Sequence, residues 1–236
     1  MNINKHLIPL FSVLFFLFAV SVSSGCFRKN ESDVKSVVRN ELDQLKNLDS
    51  ETTQKYIPYT ELFPDATENT DLTDEINETF SLFFRKFNYK ISDVIVGTAN
   101  HSATVSVKLT TIDSKVLARD FKAELLRTQI TESAQAQKGS IKDSSRSLEA
   151  HYLILNHLLN TNDYDTAETD CNIQLVNTGN DKKEKWKIQR TNSLEDDLVG
   201  GLIADLADPD ILSPEDTLTV YLDTLQKLDL KEMTSY

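Results

Sequence analysis

Residues 89–111 read YKISDVIVGTANHSATVSVKLTT, and the fold class follows from that stretch. In its second half Ala103, Val105, Val107 and Leu109 alternate with Thr104, Ser106 and Lys108. A period of two lets a strand bury one face and wet the other. Gly97-Thr98-Ala99-Asn100 interrupts the apolar run with turn residues, so Tyr89 to Val96 and Ser102 to Thr111 are expected to form an antiparallel hairpin. The same signal returns downstream, where Thr169, Cys171, Ile173 and Leu175 alternate within Thr166 to Asn177. Glu184 to Thr191 is its expected partner, with Trp186 and Ile188 pointing inward. The connection through Lys182-Lys183-Glu184-Lys185 reads as a charged hairpin tip.

Between and around these hairpins the period lengthens to that of a helix. A first helix is expected to start near Ser32 or Asp33, either of which can accept from free first-turn amides. Its apolar stripe is Val34, Val37, Val38, Leu42, Leu45 and Leu48. A short turn covers Glu51 to Ile57 before Pro58, and a helix over Leu72 to Phe87 carries Ile76, Phe80, Phe83, Phe84 and Phe87 on one face. That single-sided spacing marks the phenylalanines as core. Lys115 to about Gln135 reads as a helix through Val116, Phe121, Leu125 and Ile130. Lys138 to Ser145 is polar, and another helix runs through Leu148, Tyr152, Leu155 and Leu159. Leu194 to Leu206 and Pro214 to Leu228 are the last helical stretches, with Gly200-Gly201 inside the first of them as either a close-packing site or a break. The order αα-ββ-αα-ββ-α specifies an α+β fold, an antiparallel curved sheet packed against helices.

The chain has 236 residues and a formal net charge of −12. That acidity argues against a nucleic-acid partner, which would need a clustered basic face. The start of the chain is different in kind. After Lys5 and His6, Leu7 to Val22 is free of charge, and the small residues Ser23-Ser24-Gly25 precede Cys26. The run is of signal-peptide type and too short for a comfortable permanent span. The pattern resembles a bacterial lipoprotein signal with its lipobox, although Ser23 stands where that family usually has an aliphatic residue. The resemblance implies cleavage before Cys26 and lipid attachment to its thiol. The result is a protein held on the extracytoplasmic face of the cell membrane. Cys171 then has no intramolecular thiol partner, and its place in the alternating strand makes it a small core residue.

The element order, together with EKWKIQRTNSLEDDL from Glu184, resembles the nuclear-transport-factor-two-like (cystatin-like cone) lipoproteins of Gram-positive bacteria over Ser32 to Pro209. The resemblance implies a cone-shaped sheet enclosing a cavity. The expected organisation is a leader over 1–25, a tether over 26–31, the cone domain over 32–212 and a C-terminal helix over 213–236. That last helix invites a further reading. A shift of 180 positions lays Leu42, Asp43, Leu45, Leu48, Asp49 and Tyr56 onto Leu222, Asp223, Leu225, Leu228, Asp229 and Tyr236. The helix reads either as the opening of a second copy of the domain or as a terminal helix docked on the first.

Signals for catalysis are poor: the chain has no Gly-x-Ser-x-Gly turn, phosphate-cradling glycine loop or His-Glu-x-x-His. His151 and His157 lie on one helix at a spacing that turns them apart, and His101 sits in a turn. Asp205, Asp208 and Asp210 lack the glycine and closing glutamate of a calcium loop, and a helix ending before Pro209 accounts for them. Asp120, His151 and Tyr152 are the available acid/base groups, and none is assigned a catalytic role. No cofactor or metal is expected. The expected function is a non-catalytic module binding an unknown small ligand or an envelope protein, with membrane lipid reached through Cys26. A hydrolase or isomerase using a polar pocket in the cone is the alternative.

Overall fold

The computed structural model describes residues 30–57, 62–64, 66, 73–97, 101–136, 146–179 and 185–233. The leader, Cys26 and nearly all of the tether lie outside them. So do most of the first hairpin turn, the polar stretch after Gln135, residues 180–184 of the second tip, and Tyr236. Among the described residues the fold is α+β, an open four-stranded antiparallel sheet with eight helices. In chain order these are α1 (30–46), α2 (Ser50–Tyr56), α3 (Thr73–Phe84), β1 (Asn88–Val96), β2 (Ser102–Ile112), α4 (Ser114–Ala136), α5 (Leu148–Thr161), β3 (Thr166–Asn177), β4 (Trp186–Ile188), α6 (Asn192–Leu198), α7 (Leu202–Ala207) and α8 (Pro214–Met233).

The strands lie in the order β1-β2-β3-β4, so each neighbour in space is a neighbour in sequence. Ala103, Val105, Val107 and Leu109 of β2 are buried, as are Cys171, Ile173 and Leu175 of β3. The opposite face is polar and pairs across the strands. Thr104 Oγ1 donates to Gln174 Oε1 at 2.9 Å, Ser106 Oγ to Asn172 Oδ1 at 2.8 Å, and Lys108 Nζ to Glu168 Oε2 at 3.1 Å. Such pairs fix register, because a slip by one residue would exchange the two faces. The second hairpin is set by Leu175 opposite Ile188 and Asn177 opposite Trp186, whose indole is buried. At the edge, β1 changes phase: Ser92 and Asp93 are both exposed, and Val94 and Val96 then take over from Tyr89 and Ile91 as the half-buried set.

By its internal contacts the chain forms two units. One comprises Ile91–Val107 and Asn172–Gln189 with the described residues up to Asn40, and its core is Val34, Val38, Ala103, Val105, Val107, Ile173, Leu175 and Trp186. The other comprises Glu41–Lys90, Lys108–Cys171 and Arg190–Tyr236. In this second unit α4 packs on α5, α7 and α8, and α3 packs on α5. Ile76, Phe80, Phe83, Phe84 and Phe87 are all buried, with Phe84 in edge contact with both Phe83 and Phe87.

Three details differ from the periodicity. Leu48 leaves the stripe of α1: it has φ 62° and is 42 % exposed, because it closes the helix rather than continuing it. The amide of Asp49 returns to the Gln44 carbonyl at 2.9 Å, a closure that requires the left-handed backbone usually given to glycine. On α4 the buried residues are Ser114, Leu117, Ala118, Phe121 and Ala123, and Val116, Leu125 and Ile130 are only half-buried. The stretch Leu194 to Leu206 is two helices. Gly200 and Gly201 have φ 66° and 89°, so the pair is a break.

Helix α8 docks on α4 and buries Val220 and Thr224. Under the shift of 180 positions, the α1 residues Val38, Leu42 and Leu45, all buried, correspond to Leu218, Leu222 and Leu225 of α8, which are all exposed.

Candidate functional site

Four segments of the second unit wall a cavity of about 430 Å³. From α4 come Phe121, Lys122, Leu125 and Gln129, which share a helical face. Ile203, Leu206 and Ala207 of α7 line it together with Leu62, Phe63, Pro64 and Ala66, and Arg146 and His151 join them from the start of α5. The volume equals that of roughly a dozen waters at about 30 Å³ each, more than a lone ion needs. It falls in the usual range of small-molecule sites, about 300–1,000 Å³.

The position of each wall has a local cause. Ser147 caps α5, its hydroxyl accepting from the Ala150 amide at 3.1 Å, which places His151 on the first turn. Asp113 does the same for α4 by accepting from the Val116 amide. The Gly200-Gly201 break turns the chain so that α7 returns along α4. There the Ser114 hydroxyl, with a single proton, lies 2.5 Å from the Gly200 carbonyl oxygen and 2.9 Å from Asp205 Oδ2. That hydroxyl ties the start of α7 to the start of α4.

Inside the cavity wall, Phe63 stacks on Phe121 at 5.1 Å between ring centroids, and the His151 ring lies 4.9 Å from Phe63 and 5.6 Å from Phe121. Tyr152 meets the edge of Phe63 from behind at 5.4 Å. His151 Nδ1 is 2.7 Å from the Ser147 carbonyl oxygen. A carbonyl only accepts, so Nδ1 carries the proton and Nε2 is the basic nitrogen of the neutral ring. Burial holds the imidazole pKa below its ordinary value. The hydrogen bond to Ser147 opposes that shift and the Lys122 charge adds to it. His151 is therefore neutral at pH 7.

Lys122 and Arg146 are cationic, and no Asp or Glu occurs among the described lining residues. A second cavity of about 460 Å³ lies beside α8 between Leu126, Leu212, Leu218 and Tyr221; its described lining includes Asp210 and no cation.

The acid/base groups considered from sequence are separated. His151 reaches the first cavity, but Tyr152 is fully buried among Phe63 and Phe80. Asp120 accepts instead from the Tyr164 hydroxyl at 3.1 Å, and burial pushes that phenol up to about 12. His157 and His101 are exposed. Asp205 is engaged by Ser114, and the Asp208 carboxylate accepts from the Asp210 amide at 2.9 Å. Among the described residues no three His, Cys, Asp or Glu side chains converge as a metal site.

Cys171 is buried, and its thiol is pushed up to about 12, first by burial and then by the Asp197 carboxylate. Lys122, Arg146 and Phe63 were not singled out from the sequence, and no motif spacing joins them.

No protein-family model, curated protein or solved structure matches this chain. The site is therefore read from its own geometry. Among the described residues no helix is long and apolar enough to cross a membrane.

Proposed function

We propose that this chain is a bacterial envelope lipoprotein. Acyl chains on Cys26 hold it at the extracytoplasmic face of the cell membrane, and its α+β domain binds a small ligand without catalysing a reaction. The observation that carries the binding role is the cavity bounded by α4, α5 and α7: its volume is that of a small molecule, and most of its described lining is aromatic or aliphatic. The anchor is supported by the uncharged run Leu7 to Val22 and the small residues before Cys26. Each buried methylene of an attached acyl chain would contribute about 0.8 kcal/mol to membrane binding. Kinship with the cystatin-like cone lipoproteins is part of the same reading and rests on element order and the Trp186 strand. A hydrolase or isomerase has one observation in its favour, the neutral imidazole of His151 on the cavity wall. No carboxylate among the described lining residues stands beside it as a partner.

Two measurements test the proposal. Metabolic labelling with palmitate should mark the native protein and leave Cys26→Ala unlabelled; equal label in both would defeat the anchor. Native mass spectrometry of the detergent-extracted protein should find a small molecule bound to the folded chain. A mass equal to the bare acylated polypeptide, combined with no uptake from a cell extract, would remove the binding role.

A further inference from the structure

Resting on the reading of the domain as a small-ligand binder, we propose that the cavity takes an apolar molecule with one hydrogen-bond donor, a hydroxyl or an N–H. The donor lies on Nε2 of His151, and the apolar body lies on Leu125 and Ile203.

The acceptor is fixed by the cap of α5. One turn beyond Ser147, His151 Nδ1 lies 2.7 Å from the Ser147 carbonyl oxygen. That carbonyl takes the single ring proton of the neutral imidazole and leaves Nε2 with a lone pair and no hydrogen to give. Burial and the Lys122 charge both disfavour a second proton, so Nε2 remains an acceptor at pH 7. A ligand group that only accepts, such as a carbonyl or ether oxygen, would set lone pair against lone pair there.

Nε2 is also open. It has no hydrogen-bond partner among the described residues, yet it is not among the buried side-chain atoms that lack one. It is therefore reached from open space, although its ring is half-buried and touches the buried rings of Phe63 and Phe121. All three rings line the cavity, and that space is the cavity's.

The rest of the lining suits an apolar body. Leu125 and Ile203 are half-buried and contribute apolar surface to the cavity. Gln129 and Arg146 are exposed, and Lys122 is half-buried on a long stem, so these three can keep their polar ends in water. Nε2 has no stem to withdraw along. Filling the cavity strips water from it, and only a donor on the bound molecule restores the lost hydrogen bond.

The test uses naphthol and its methyl ether, which share one aromatic body and differ in the donor. The protein is the mature-length chain from residue 26 carrying Cys26→Ala, so that no acyl chain absorbs the probes. Equilibrium dialysis at neutral pH should show saturable binding of both. The methyl group of the ether adds apolar surface of its own, so the readout is the ratio of naphthol to ether affinity, measured with and without His151→Phe. That substitution keeps a ring and removes the acceptor, and the ratio should fall on the order of tenfold. Nitrogen NMR with His151 in place gives a second reading that needs no substitution at this position: naphthol should move Nε2 more than the ether does. Leu125→Trp, which fills the cavity, should weaken both probes. Gln129→Trp, at an exposed position on the same wall, gives a second block should Leu125→Trp misfold.

A ratio unchanged by a folded His151→Phe, or an Nε2 signal that responds equally to the two probes, overturns the donor assignment and leaves the binding role intact. Binding of neither probe, or binding that ignores both blocking variants, overturns the assignment and the binding role together.

Discussion

Gly200→Ala should be among the most damaging single-atom additions in this protein, and its cost can be worked from two terms. Gly200 has φ 66°, where a side chain meets its own backbone at a cost of about 1–2 kcal/mol. A Cβ built there would lie 2.2 Å from Thr111 Oγ1 and 3.2 Å from Thr111 Cβ. Thr111 is buried at the end of β2 and cannot swing into solvent, so overpacking adds about 1–3 kcal/mol. The expected loss is about 2–5 kcal/mol. Gly201 is the internal control: its φ is 89°, but a Cβ there would meet nothing closer than Ser114 Oγ at 3.8 Å. Gly201→Ala should show only the backbone term, about 1–2 kcal/mol. Urea unfolding followed by circular dichroism gives both numbers, provided that the slope with denaturant is unchanged. Thr111→Ala in the Gly200→Ala background should recover part of the loss, because it removes the clashing hydroxyl. Equal destabilisation by Gly200→Ala and Gly201→Ala, or no coupling between positions 200 and 111, would refute the close approach of the α6–α7 joint to β2.

Other outcomes follow from single residues. Leu48→Gly should raise stability by up to about 1 kcal/mol, or about 2–4 °C in Tm, since glycine accepts the φ of 62° without the side-chain penalty; a lowered Tm would show that the half-exposed leucine contributes more by packing. Cys171 should resist thiol reagents in the folded Cys26→Ala protein and react fully in denaturant, because burial and Asp197 disfavour the thiolate; rapid labelling of the native protein would contradict the buried strand position. His151 titrates below its ordinary value of 6.5 in the folded state, so the unfolded chain takes up that proton first. Its contribution is complete above pH 6.5 and is lost as the pH falls through the folded pKa. Thermal melts between about pH 7 and pH 5 should therefore show a smaller loss for His151→Phe than for the native protein. Identical pH profiles would mean that the imidazole is not held in a desolvated setting.

The sheet was legible because its signal is local. Alternation in Ser102 to Thr111 and Thr166 to Asn177 names the buried residues directly, and the inward placement of Cys171 and Trp186 follows from the same period. The phenylalanine stripe of α3 was legible for the same reason. Helix ends were harder to read. A leucine at position 48 continues the apolar spacing, and only the returning amide of Asp49 shows that the backbone has already turned left-handed. Gly200-Gly201 admitted two readings, and both describe it: the positive φ of each glycine breaks the helix, and Thr111 fills the space beside Gly200. On α4 the polar composition blurred the stripe: Phe121 turns inward as expected, but Leu117 and Ala118 take the place of Val116. The cavity was the least legible feature. Its wall joins residues from near position 62 to position 207, brought together by helix packing, and no spacing within any one segment encodes that meeting.

The binding role of the cavity is tested most directly by nitrogen NMR of the three histidines of the mature-length Cys26→Ala chain, His101, His151 and His157, during titration with the aromatic probe anilinonaphthalene sulfonate. The ring nitrogens of His151 should shift in a saturable manner. His157, exposed on the same helix, and His101, exposed beside the first hairpin, should stay in place. An unmoved His151, or equal shifts at all three rings, would contradict the assignment of the cavity as the binding site.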